Sequence, residues 1–94
     1  MTILGIDSLE RLKEKHPAAR RPLAKWELTV SEASWRNFVQ VKSTFSTASY
    51  VKDRTIFNVG GNKYRIITIV QYKAQIVIVT EACTHEEYDR GGWK

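Results

Sequence analysis

The stretch TIFNVGGNKYRIITIVQY, Thr55 to Tyr72, decides the fold. Two runs rich in β-branched and aromatic residues flank Gly60-Gly61-Asn62, residues that tolerate the positive φ of a tight reversal, so the stretch reads as a β-hairpin. A further apolar run follows the turn residues Lys73-Ala74-Gln75. Thr55–Val59, Lys63–Tyr72 and Ile76–Glu81 are therefore expected to form a three-stranded antiparallel meander. The central run, YRIITIV, is apolar at both alternating positions. One face is expected to carry helices, and the other to be partly covered or to form a cleft.

Upstream the period changes. TILG, residues 2–5, is a short apolar run that fits a first strand. Asp-Ser-Leu-Glu from Asp7 has capping-box spacing, with Asp7 as the cap and Glu10 reaching back, and Pro17 disfavours helical geometry at His16. A helix from Asp7 to about Lys15 follows. Ala19, Leu23, Trp26 and Val30 then recur at intervals of four, three and four, the stripe of an amphipathic helix that must hold Pro22 in its first turn. Ser34 is the expected cap of a third helical segment with Trp35, Phe38 and Val39 facing the core. The stretch STFSTAS, 43–49, reads as a loop. Trp26, Trp35 and Phe38 fall on apolar stripes and are expected in the core rather than as base-stacking platforms.

The chain has 94 residues, 43% hydrophobic and 27% charged, which fits one folded domain spanning residues 1–94 with one core. A single cysteine, Cys83, excludes an intramolecular disulfide. No signal-peptide core or bilayer-length apolar run is present, so a cytoplasmic location without membrane attachment is expected. The formal net charge is +5, which favours a polyanionic or acidic partner. Between Lys52 and Lys73, the cations Lys52, Arg54, Lys63, Arg65 and Lys73 face only Asp53, a local excess of +4.

Arg65 lies just inside its strand beside the glycine turn, where a planar fork of donors, expected to stay unburied, suits phosphate oxygens, and Lys63 adds a mobile charge. THEEYDR, Thr84 to Arg90, follows the last strand. His85 is its one group that exchanges protons near neutral pH, and Tyr88, three residues on, would share its face in a helical turn. The same segment also fits a structural stop in which Thr84 caps the turn with Glu87 as partner. His16, next to Pro17, reads as a structural helix end. Cys83 and His85 could share a strand face as a nucleophile pair, but a cysteine closing an apolar strand is more often a packing residue. The glycine pair lacks the continuation of a phosphate-binding P-loop. Two distant histidines and one cysteine make no metal-ligand spacing, so neither a metal nor another cofactor is expected.

RTIFNVGGNKYRIITIVQY (54–72) followed by EACTHEEYD (81–89) resembles the HigB-type toxins of bacterial toxin–antitoxin systems, within the RelE-like superfamily. The resemblance is strongest from Tyr50 to Asp89 and extends more weakly through WRNFVQVKSTFSTASYV. It implies an α+β, RelE-like fold, with an N-terminal strand and two to three helices on one face of an antiparallel sheet. It also implies an mRNA endoribonuclease, often acting in the ribosomal A site and neutralised by a HigA-type helix-turn-helix antitoxin. The superfamily's sheet arginine falls on Arg65, and its C-terminal basic and tyrosine positions fall on His85 and Tyr88, giving three candidate catalytic residues. Ile56 and Asn58 stand where well-known RelE-like enzymes carry lysines. Lys52, Arg54, Lys63 and Lys73 are the replacement candidates for binding RNA, with Asn58 as a hydrogen-bonding partner. A non-catalytic RNA-binding module and a gyrase-poisoning relative are the competing readings.

Overall fold

The computed structural model describes residues 1–93. In chain order the elements are β1 (Thr2–Leu4), α1 (Asp7–Lys15), a 3-10 turn (Pro17–Ala19), α2 (Arg20–Glu32), α3 (Phe38–Thr44), β2 (Ser49–Val51), β3 (Arg54–Val59), β4 (Tyr64–Gln71), β5 (Ile76–Thr84) and α4 (His85–Asp89). The strands form one sheet in the order β1-β5-β4-β3-β2. The expected meander is present as β3, β4 and β5, with antiparallel pairing from Val59↔Tyr64 to Gln71↔Ile76. Gly60, Gly61 and Asn62 all take positive φ, as the hairpin reading required.

Two features of the sheet depend on long-range pairing. β1 pairs in parallel with β5, Thr2 to Ile76 and Leu4 to Ile78, so the sheet is mixed at one edge. β2 forms a short hairpin with β3 through Lys52 and Asp53, whose φ values are 49° and 64°. Its first residue, Ser49, falls in the stretch read as a loop, because three residues are too few to display a period of two.

The helices cover one face. Leu9, Leu12, Ala19, Leu23, Trp26 and Val30 are buried against Phe57, Ile66 and Val77. Trp26 meets Phe57 edge-on with centroids 5.3 Å apart, and Trp35 stacks on Phe57 at 6.0 Å. The α2 stripe is thus as read, and Pro22 sits in the first turn of α2, where its missing N–H breaks no helical bond. Phe38 is half-buried beside this core.

Two caps differ from expectation. Asp7 does not cap α1: Ile6 occupies that position without a side-chain bond. The cause is Gly5, whose φ of +79° holds the backbone so close to β5 that an added Cβ would lie 2.3 Å from the Val79 carbonyl oxygen. The turn is complete before Asp7 is reached, and Asp7 and Glu10 instead place negative charge in the first helical turn. Ser34 does not cap α3; Asn37 does, its Oδ1 accepting from the Gln40 amide at 3.0 Å. The later start rotates the helix, so Val41 is buried and Val39 is 76% exposed. Trp35 is still buried, from the segment before the helix.

Candidate active site

The glycine hairpin brings the start of β4 beside the end of β5, with Tyr64 opposite Thr84 and Arg65 opposite Cys83. The chain passes directly from β5 into α4, and the His85 amide donates to the Lys63 carbonyl at 2.8 Å. α4 is short but well capped. Thr84 Oγ1 accepts from the Glu87 amide at 3.2 Å, and Glu87 Oε1 accepts from the Thr84 amide at 2.9 Å. The structural-stop reading and the functional one are therefore compatible: the box fixes the turn that presents His85 and Tyr88.

Alternation along β4 puts Arg65 on the sheet face away from the helices, with Ile56, Ile67 and Cys83 as apolar neighbours of the same face. Contrary to the expectation of an unburied strand-end charge, Arg65 is only 6% exposed. α4 and Trp93 close over this part of the sheet, a tertiary contact that no local pattern announces. The guanidinium is satisfied by Nη1, which donates to the Asn62 carbonyl at 2.9 Å and the Tyr64 carbonyl at 3.2 Å. Nη2 lies 2.6 Å from His85 Nδ1.

An arginine only donates, so His85 Nδ1 is the acceptor and the proton of the neutral ring belongs on Nε2. Nε2 lies 3.1 Å from Asp89 Oδ2, one helical turn on. Asp89, His85 and Arg65 thus form one continuous polar chain ending on two backbone carbonyls. The Arg65 guanidinium carbon lies 5.5 Å from the centroid of the Tyr88 ring, which stacks with Trp93 at 5.0 Å and 10°.

Burial pushes the Tyr88 hydroxyl above its ordinary value of 10.0, with Arg65 opposing the rise and Asp89 and Cys83 adding to it. Tyr88 is therefore a neutral hydrogen-bonding group near pH 7 and not a base. Burial pushes the Cys83 thiol up to about 11, helped by Glu81 and Glu87 and opposed by Arg65. Such a thiol is not a nucleophile at neutral pH, and Cys83 is a packing residue in one cluster with Ile56 and Ile67. Among the described residues no group of three or more His, Cys, Asp or Glu is placed to hold a metal ion.

Beside His85 lies an open depression of about 560 Å³ whose lining includes His16, Asn62, Lys63, Glu86 and Arg90. Lys63 belongs to the exposed turn rather than to β4 and reaches this depression. Asn58 is the register partner of Arg65, but its amide donates to the Thr47 carbonyl at 3.3 Å and so ties down the loop before β2.

The remaining binding candidates are elsewhere. Lys52 and Arg54 belong to the β2–β3 hairpin, and Lys73 follows the far end of β4. β4 runs roughly 20 Å from Arg65 to Gln71 at the usual strand rise, so these cations do not join the Arg65–His85 centre. Closeness in sequence misled here because adjacent turns of a meander lie at opposite ends of the sheet. His16, read from the sequence as a structural helix end, also lines this depression, a placement that nothing in its spacing announces.

The capping box gives a direct test of how α4 is held. Thr84→Ala is expected to destabilise the turn by about 1 kcal/mol and to raise amide exchange across residues 85–89 without melting the sheet. The Thr84 backbone amide is the main cause holding the Glu87 carboxyl below its ordinary value; burial partly opposes it, while the Thr84 hydroxyl, Lys15 and His16 lower it further. With the folded value below the unfolded one, this contribution is present above the ordinary carboxylate range. It is lost as pH falls out of the ordinary carboxylate range and through the lower folded value. Glu87→Gln should abolish that acid-dependent loosening; an unchanged pH profile would remove Glu87 from the cap.

A family model described as HigB_toxin, RelE-like toxic component of a toxin–antitoxin system, matches residues 19–91. Similar proteins include the mRNA interferase toxin HigB of Escherichia coli K12 and the mRNA interferases HigB of Escherichia coli O157:H7 and Shigella flexneri. Each is 27% identical over 92 residues, covering 95% of this chain and 88% of the relative. The matched residues span the helical layer from α2 onward, the meander and α4, and with them Arg65, His85 and Tyr88. This chain belongs to the HigB family of RelE-like toxins of toxin–antitoxin systems.

Proposed function

We propose that this chain is an mRNA endoribonuclease that cleaves by attack of the RNA 2′-hydroxyl, acts on ribosome-engaged messages and is neutralised by a HigA-type antitoxin. The observation that carries the catalytic part is the contact between the Arg65 guanidinium and His85 Nδ1 at the open end of the sheet. RNA supplies its own nucleophile, so the protein must align the 2′-oxygen with phosphorus, move protons and stabilise charge on the non-bridging oxygens.

Arg65 and His85 divide two of these tasks. A phosphate that enters beside His85 competes with it for the Nη2 donor of the buried Arg65. As that donor turns to a non-bridging oxygen, Nδ1 is released to accept the 2′-hydroxyl proton. Asp89, at Nε2, is placed to favour the imidazolium that results. Tyr88, neutral and packed against Arg65, orients the guanidinium and can donate a hydrogen bond. Lys63 contributes a mobile charge on the rim. The similarity to proteins named mRNA interferases supports the same substrate class.

The test is cleavage of a defined message by purified protein, with and without ribosomes, followed by analysis of both new ends. A 2′,3′-cyclic phosphate and a 5′-hydroxyl are expected. Binding that weakens with salt and yields no new ends would replace the enzyme by a translation-blocking module. Intact messages with inhibited supercoiling would favour the gyrase reading.

A further inference from the structure

We infer that His16 is a second proton-transfer residue of this site, acting as the general acid that protonates the departing 5′-oxygen. The inference rests on the ribonuclease reading above. His85 and His16, the two histidines of the chain, line one depression although they come from opposite ends of the sequence.

The mounting of His16 is rigid. Its amide donates to the Leu12 carbonyl and its own carbonyl accepts from the Ala19 amide, both at 2.8 Å, so the residue is clamped between α1 and the 3-10 turn. Its ring stands 6.2 Å from that of Tyr64. Among the described residues, neither ring nitrogen of His16 takes part in a hydrogen bond. His85, in contrast, has both nitrogens engaged, by Arg65 and Asp89.

Cleavage by 2′-oxygen attack moves one proton off the 2′-hydroxyl and one onto the 5′-oxygen as the P–O5′ bond breaks and the P–O2′ bond forms. One neutral imidazole performs the first transfer. The second needs a different group that is protonated at the start. Of the side-chain types on the rim, imidazole is the one suited to proton exchange near neutral pH, which the lysine at 63 and the arginine at 90 are not. Glu87 is committed to the cap with its carboxyl held below the ordinary range. The contact with the Arg65 donor makes His85 Nδ1 an acceptor, which assigns the base to His85 and the acid to His16.

Two measurements test this. With two histidines, the ring-proton NMR spectrum is simple, and His16→Gln assigns it. Adding uridine 3′-monophosphate should shift both histidine signals; a shift confined to His85 would place His16 outside the site, whether or not the protein cuts RNA. In kinetics, His16→Ala and His16→Gln should lower cleavage of a dinucleotide about 10²-fold and remove the alkaline limb of the pH–rate profile. The same variants should lose only a few-fold on uridine 3′-(4-nitrophenyl phosphate), whose leaving group departs without a proton. Equal losses on both substrates, or wild-type rates, would overturn the acid role. Melting curves of both variants identify a loss caused by unfolding, in which case the two substrates suffer alike. A wild-type protein that cuts neither these substrates nor a ribosome-engaged message would instead overturn the ribonuclease reading itself; one that cuts only the ribosome-engaged message moves the comparison of the His16 variants to that message, where wild-type rates would overturn the acid role.

Discussion

Arg65→Ala is expected to lower RNA cleavage by about 10²-fold or more and also to destabilise the fold. The second effect follows from burial. Arg65 is 6% exposed, and its guanidinium donates to the Asn62 and Tyr64 carbonyls, which lose that donor on truncation. Leaving buried acceptors unpaired costs about 1–3 kcal/mol. Denaturant melts and single-turnover cleavage together separate the two effects. Arg65→Lys makes the sharper comparison, because it keeps the charge but concentrates its donors on one atom. An ammonium cannot serve the turn carbonyls and face His85 at once from a planar fork. Stability should recover in part while the rate stays low; a lysine variant with wild-type rates would mean that charge alone suffices.

His85→Ala should lose about 10²- to 10⁴-fold in rate with little change in stability, since the side chain is 45% exposed. His85→Gln is the more informative variant. A glutamine amide can still accept from Arg65 and donate toward Asp89, so the polar chain persists, but it exchanges no proton near neutral pH. It should therefore melt like the parent and cleave like the alanine variant. Retention of most activity would reduce His85 to an orienting group for Arg65.

Parts of this centre were legible in the chain itself. Gly60-Gly61-Asn62 demanded a reversal because positive φ is costly for most other residues, and the runs on either side could hardly be anything but strands. The register then followed, and with it the position of Arg65 beside the turn. Thr84 and Glu87 announced a capped turn through a three-residue spacing that physics makes specific. His85 and Tyr88 could be placed together by helical period alone.

Other parts could not be read locally. The cap at Asn37 displaced the one expected at Ser34 because the path of the chain before α3, fixed by Trp35 in the core, determines where the helix begins. The cations at Lys52, Arg54 and Lys73 looked like neighbours of Arg65, yet the meander sends them to the other end of the sheet. Sequence by itself determined the meander, the first strand and the first two helices, and which side-chain types were available for proton exchange or phosphate contact, since those properties reside in short-range sterics and in side-chain chemistry. Only the tertiary structure decided that Arg65 is buried, that its donor rests on His85, and that His16 shares a depression with His85, because these depend on the packing of chain segments far apart in sequence.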